Sequence, residues 1–194
     1  MGAQPRAGGI RPEALVDNFL HIFFIWLHIL GIALFVGPQF FLAFAWVPAS
    51  RGIEDMQTRI TAMRTITRRF GYVGGVGLLL IVVAGGYLVG DWRNFYAVPD
   101  DTGFTELRFG VVFIIKMVLL LVMLAALGIH IFILGPRQMD RLEAQARGEN
   151  VSEAELRKAR VQSMTFSILG LVLALAIMVL GAMLNDVSWS LQEV

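Results

Sequence analysis

The chain contains no cysteine, which removes disulfides, thiolate zinc sites, iron–sulfur clusters, CxxC redox chemistry and c-type haem attachment together. Any metal must rest on histidine, methionine or oxygen ligands. Charge is scarce as well: Asp, Glu, Lys and Arg make up 16% of the 194 residues and nearly cancel, leaving a net charge of +1. Such a chain has no global basic field, and nucleic acid is not an expected partner. A phosphate-binding loop, a nucleophile elbow, HExxH and any soluble repeat are also missing, so the common hydrolase and nucleotide chemistries find no support. The chain reads as a binding or transfer protein rather than an enzyme.

What is abundant is hydrocarbon. Apolar residues make up 57% of the chain and the mean hydropathy is +0.70, a balance that a water-exposed domain of this length cannot solvate. A bilayer span needs roughly 20 apolar residues. Four stretches meet this: Phe19 to Val47, Phe70 to Gly90, Phe109 to Leu134 and Met164 to Leu184. The expected fold is therefore all-α, a single four-span membrane domain built as a four-helix bundle in the lipid bilayer. The polar start, MGAQPRAGGIRPEALVDN, precedes an apolar run too long for a signal-peptide core and without a small-residue cleavage site, so that run reads as a retained helix.

The first and third spans are longer than a bilayer requires, so they must tilt, kink or project. Pro38 is the expected kink, because it removes one backbone donor and leaves a carbonyl that lipid cannot satisfy. Orientation follows from the bases. Arg51, Arg59, Arg64, Arg68 and Arg69 lie between the first two spans, and Arg137, Arg141, Arg147, Arg157, Lys158 and Arg160 between the last two. Both loops should be cytoplasmic, which places both termini on the outer, periplasmic or extracellular, side.

Residues 137–162 are expected to form a cytoplasmic amphipathic segment, with Ser152 and Glu155 spaced as a capping box at the start of a helix. Trp92 to Thr105, rich in aromatic residues, reads as an outer interfacial belt that can also cover a site. In the second span Gly71 and Gly75 form a GxxxG spacing, a pattern that lets a neighbouring backbone approach closely.

Ionisable groups inside a span are costly and mark functional positions. Here they are His21, His28, Lys116 and His130, with Gln39 as a neutral companion. His28 lies nine residues into the first span, ~14 Å deep, and Lys116 seven residues into the third, ~10 Å deep. These two can meet in the outer half. His130, ~31 Å into its span, lies near the inner end and cannot share a haem iron with His28 without a large offset. It is expected at an interface or in an inner polar cluster with Gln39, Arg69 and Ser163.

His21 precedes His28 by two turns on nearly the same face, about 10 Å apart. One metal cannot bind both, but a two-station path can, with the thioethers of Met178 and Met183 at similar depth. His with Met suits copper, particularly Cu(I). His28 can equally be a neutral imidazole bonded to a carbonyl freed near a kink, and Lys116 can snorkel outward along its stem. If Lys116 is instead buried beside His28, two cations repel and an anion such as a haem propionate is called for.

The stretch RRFGYVGGVGLLLIVVAGGYLV, followed by a variable loop and ELRFGVVFIIKMVLLLVMLAALGIHIFILGPR, resembles the copper-resistance protein D (CopD) membrane domain. The likeness is carried by Gly110 with Lys116 six positions on, and by Arg69 opening the preceding helix. WLHILGIALFVGPQFFLAF is similar to the helix that precedes that domain and to its counterpart in HemJ-type protoporphyrinogen oxidases. The resemblance spans Trp26 to Arg137. It implies a multi-pass protein of the bacterial plasma membrane engaged in copper uptake or transfer, with functional weight on His28 and Lys116 and a periplasmic copper-binding protein as partner. His130 and the long charged loop depart from the CopD pattern, and AFAWVPASRG lacks the bulky Arg/Tyr/His set of the HemJ type.

Three functions follow. In the first, His21 and His28, with Met178 and Met183, handle copper. In the second, a b-type haem or a porphyrin is held by His28 or His130, with Arg68, Arg69 or Lys116 on the propionates. In the third, the chain is a non-catalytic subunit, a homo-oligomer or part of a larger respiratory or photosynthetic membrane complex.

Overall fold

The computed structural model describes residues 12–194; the polar start with Arg6 and Arg11 lies outside the described residues. Four helical rods are long and apolar enough to cross a bilayer: Asn18–Gly52, Met56–Gly90, Arg108–Ala146 and Glu153–Asn185. The protein is an all-α four-helix bundle of the multi-pass membrane kind. Helices are the expected solution in lipid, since each backbone donor and acceptor is satisfied within its own segment. Phe19, Phe44, Leu121 and Phe132 stand exposed around the bundle, as lipid contact requires.

Every span runs past its apolar stretch. The second is 35 residues, or ~52 Å, against a hydrocarbon core of about 30 Å. Its start is fixed by Asp55, which accepts a hydrogen bond from the Thr58 amide at 2.8 Å and another from the Thr58 hydroxyl. Both bonds favour the charged form, so the Asp55 carboxylate titrates below its ordinary value. The fourth span opens on the expected capping box: Ser152 Oγ accepts from the Glu155 amide at 3.3 Å, and the Glu155 carboxylate accepts from the Ser152 amide at 3.4 Å.

The α-helix of the first span carries Pro38 inside it and passes into a π-helical stretch, Phe41–Trp46, directly afterwards. The distortion is thus a widened turn beyond the proline, and the Gln39 side-chain amide donates to the Phe35 carbonyl at 3.2 Å. A second π-helical stretch, His130–Leu134, interrupts the third span before a helix over Gly135–Ala146 completes it.

Packing is tightest within the first–second and third–fourth pairs, and the pairs join through Phe35 and Val36 against Met123 and Ala174. The first pair meets at Gly31 and Gly77. A β-carbon on Gly77 would lie 2.7 Å from the Gly31 carbonyl oxygen, and one on Gly31 would lie 2.8 Å from that of Gly77. Gly71 and Gly75 have open space where a β-carbon would sit, so the GxxxG pair expected at the contact lies off it. The close approach falls two residues further along, on the face turned to the first span.

One end of the bundle gathers the start of the first span, residues 91–107 and the C-terminus. Arg108 donates from its amide to the Gln192 carbonyl at 3.0 Å, and Val194 to Glu106 at 2.9 Å. Trp92 stacks on Phe109 with centroids 4.9 Å apart, and Phe104 meets it edge-on at 5.3 Å. Gly110 permits this cap, because a β-carbon there would stand 1.8 Å from the Phe104 carbonyl oxygen. The opposite end carries the two arginine-rich segments, tied to each other by an ion pair between Arg64 and Glu143; within the second, Arg141 donates to the Glu155 carbonyl at 2.9 Å.

Candidate functional site

His28 sits on the face of the first span turned toward the second. Its Nδ1 lies 3.1 Å from the Ile81 carbonyl oxygen. A carbonyl only accepts, so Nδ1 carries the proton and donates. In the neutral ring this leaves Nε2 as a bare lone pair, and Nε2 has no hydrogen-bond partner among the described residues. Gly85, one turn beyond Ile81, makes the room: a β-carbon there would stand 3.1 Å from Cε1 of His28 and 3.3 Å from Nδ1. The acceptor is thus a carbonyl of the neighbouring helix, not one freed at the Pro38 kink.

Lys116 lies in the other pair. Its Nζ lies 3.5 Å from where a β-carbon on Gly181 would be, so the ammonium rests along the glycine face of the fourth span. No acidic side chain pairs with it among the described residues. The bundle therefore holds a lysine without an acidic partner among the described residues and a histidine with a free ring nitrogen.

His21, two turns before His28, is 4% exposed. Its Nδ1 faces Asp91 Oδ2 at 3.3 Å, and its ring lies flat against Phe95 with centroids 3.4 Å apart. Asp91 closes the second span, and its partnership with His21 was not legible in the loop charge alone. Met178 is 40% exposed and faces outward from the bundle, while Met183 is half-buried. No group of three or more His, Asp or Glu side chains is gathered among the described residues.

His130 opens the π-helical stretch and bonds through Nε2 with Ser167 Oγ at 3.3 Å; its Nδ1 is buried without a partner. Gln39 bonds within its own helix, Ser163 is buried and Arg69 is exposed at the arginine-rich end. The structure thus gives His28 to Ile81, sets Lys116 along Gly181, gives His130 to Ser167, and does not join His130, Gln39, Arg69 and Ser163 by hydrogen bonds. No family model, curated protein or solved structure matches the chain.

Proposed function

We propose that the protein is a membrane-embedded binding protein for a redox-active centre, ligated by His28 in the outer half of the bundle, and that the centre is a b-type haem. The observation that carries this reading is the His28 ring with Nδ1 tied to a backbone carbonyl and Nε2 left free. A histidine ligand commonly donates its second ring proton to a carbonyl or carboxylate, which fixes the tautomer and aims the lone pair. Lys116 favours haem over a bare cation. An ammonium without an acidic partner repels a metal ion but attracts a propionate, and the apolar stretches 19–47, 70–90, 109–134 and 164–184 supply no carboxylate for it. Bound there, haem would supply one-electron chemistry, with its potential set by burial and by the second axial position.

The test is a visible spectrum of the purified protein, with and without haem loading, beside His28→Ala. A Soret band present in the parent and lost in the variant is expected. A parent protein with no Soret band after loading, or a band unchanged by the substitution, sinks the haem reading.

Copper binding or transfer across the bacterial plasma membrane is the second reading. What favours it is that His21 repeats the same disposition, with Nδ1 on a carboxylate, so two rings on one helix offer Nε2 in sequence from the outer end inward. Stoichiometric copper that falls by about half when either histidine is replaced would favour this path over haem. The arginine-rich segments face the cytoplasm in both readings.

A further inference from the structure

At the arginine-rich end a cavity of about 180 Å³ opens between the helix Gly135–Ala146 and the start of the fourth span. Its floor is Leu134 and Ala159; its walls are Arg137, Arg141, Lys158 and Gln162. One water needs roughly 10–15 Å³, so the space admits a polyatomic group. Three cations and an amide line it, and no acidic side chain does. Arg141 is positioned by its bond to the Glu155 carbonyl. Arg137 and Lys158 have no acidic partner among the described residues.

Like charges held around one concavity repel unless an anion sits between them, and the Arg fork matches the oxygens of a phosphate. The location narrows the ligand further. Leu134 ends the apolar part of the third span, so the cavity stands where hydrocarbon gives way to headgroups. We propose that this cavity is a phosphate-binding site, independent of His28 and Lys116. Two sources share that chemistry: the phosphodiester of an anionic lipid, whose acyl chains would lie against the neighbouring apolar helices, and a free phosphate from the aqueous side.

The test uses the full chain in nanodiscs of phosphatidylcholine, with either phosphatidylglycerol or inorganic phosphate added and chloride as the ionic-strength control. Native mass spectrometry and thermal unfolding are the readouts. The parent protein is expected to retain phosphatidylglycerol roughly thirtyfold better than R137Q/K158Q. Arg157→Gln removes a charge outside the cavity and should behave as the parent.

Stabilisation by the lipid alone identifies a headgroup site; equal stabilisation by inorganic phosphate identifies a site for the free anion. Should R137Q/K158Q fold poorly, phenylglyoxal labelling of the parent keeps the proposal testable, because the bound anion should protect Arg137 and not Arg157. No preference for either phosphate source over chloride, equal loss in Arg157→Gln, or labelling of Arg137 unchanged by both sources overturns it.

Discussion

Gly85 stands where any side chain would press on the His28 ring, with a β-carbon there only 3.1 Å from Cε1. A β-carbon on Gly181 would lie 3.5 Å from the Lys116 ammonium, an ordinary contact. In the first pair, therefore, the imidazole of one helix is accommodated by a missing side chain on the other. Glycine has two uses in this bundle: Gly31 and Gly77 bring backbones together, whereas Gly85 makes space for the His28 ring.

Gly85→Leu should displace the imidazole and break its bond to the Ile81 carbonyl, with loss of any ligand held by Nε2 and only a modest change in helicity. Spectral titration and circular dichroism of the same samples check it. Retained binding with the larger side chain in place would show that the ring is not seated against Gly85.

Gly77→Ala should cost roughly 1–3 kcal/mol, because the added carbon meets backbone on both sides and neither rod can give locally. Gly75→Ala, two residues away but in open space, should be neutral or slightly stabilising through helix propensity. Thermal unfolding in one detergent compares them. Equal effects would mean that the first two spans do not meet at Gly31 and Gly77.

The four spans were legible because twenty apolar residues have few other fates, and the capping box at Ser152 because its bonds are local. Span ends were not: residues 56–69 are polar enough to leave the hydrocarbon yet continue the helix. The GxxxG spacing named a helix without naming its inward face, which the first span decides by presenting Gly31 and Phe35. Depth in the sequence put Lys116 at a level similar to His28. That Gly181 faces Lys116, or that Asp91 holds His21, depends on the rotation of whole helices, on which a single sequence carries no signal.

Lys116→Met should stabilise the ligand-free protein by roughly 1–3 kcal/mol, since it removes a cation from low dielectric without stranding a partner. The same change should weaken binding of an anionic ligand. Melting temperatures with and without haem resolve the two effects. A lower melting temperature for the ligand-free variant would mean that Lys116 has an acceptor there.

Two groups outside the spans set opposite ends of the pH profile. Asp55 is held below its ordinary 3.8 first by the Thr58 side-chain bond, so its contribution is complete above that value and fades as pH falls through the lower folded one. Tyr96 is raised above 10.0 by burial; the unfolded chain ionises first, and stability declines as pH rises past 10.0. Asp55→Ala should flatten the acid limb and Tyr96→Phe the alkaline one. Unfolding midpoints across pH measure both, and an unchanged limb in either variant refutes that assignment.

Asp91→Ala separates a structural role for His21 from a metal-binding one. Removing the carboxylate leaves Nδ1 of a buried ring without its acceptor at 3.3 Å, which should cost roughly 1–3 kcal/mol, while the flat contact with Phe95 remains. If His21 serves only to fasten the first span to the end of the second, the variant melts earlier and binds the same amount of copper as its parent. If His21 is the outer station of a path to His28, the ring loses the partner that fixes its tautomer. Copper affinity should then fall by roughly 10–100-fold, as it does when an outer-shell carboxylate is removed from a histidine ligand. Copper titration of Asp91→Ala beside His21→Ala therefore decides whether the outer histidine belongs to the fold or to the chemistry.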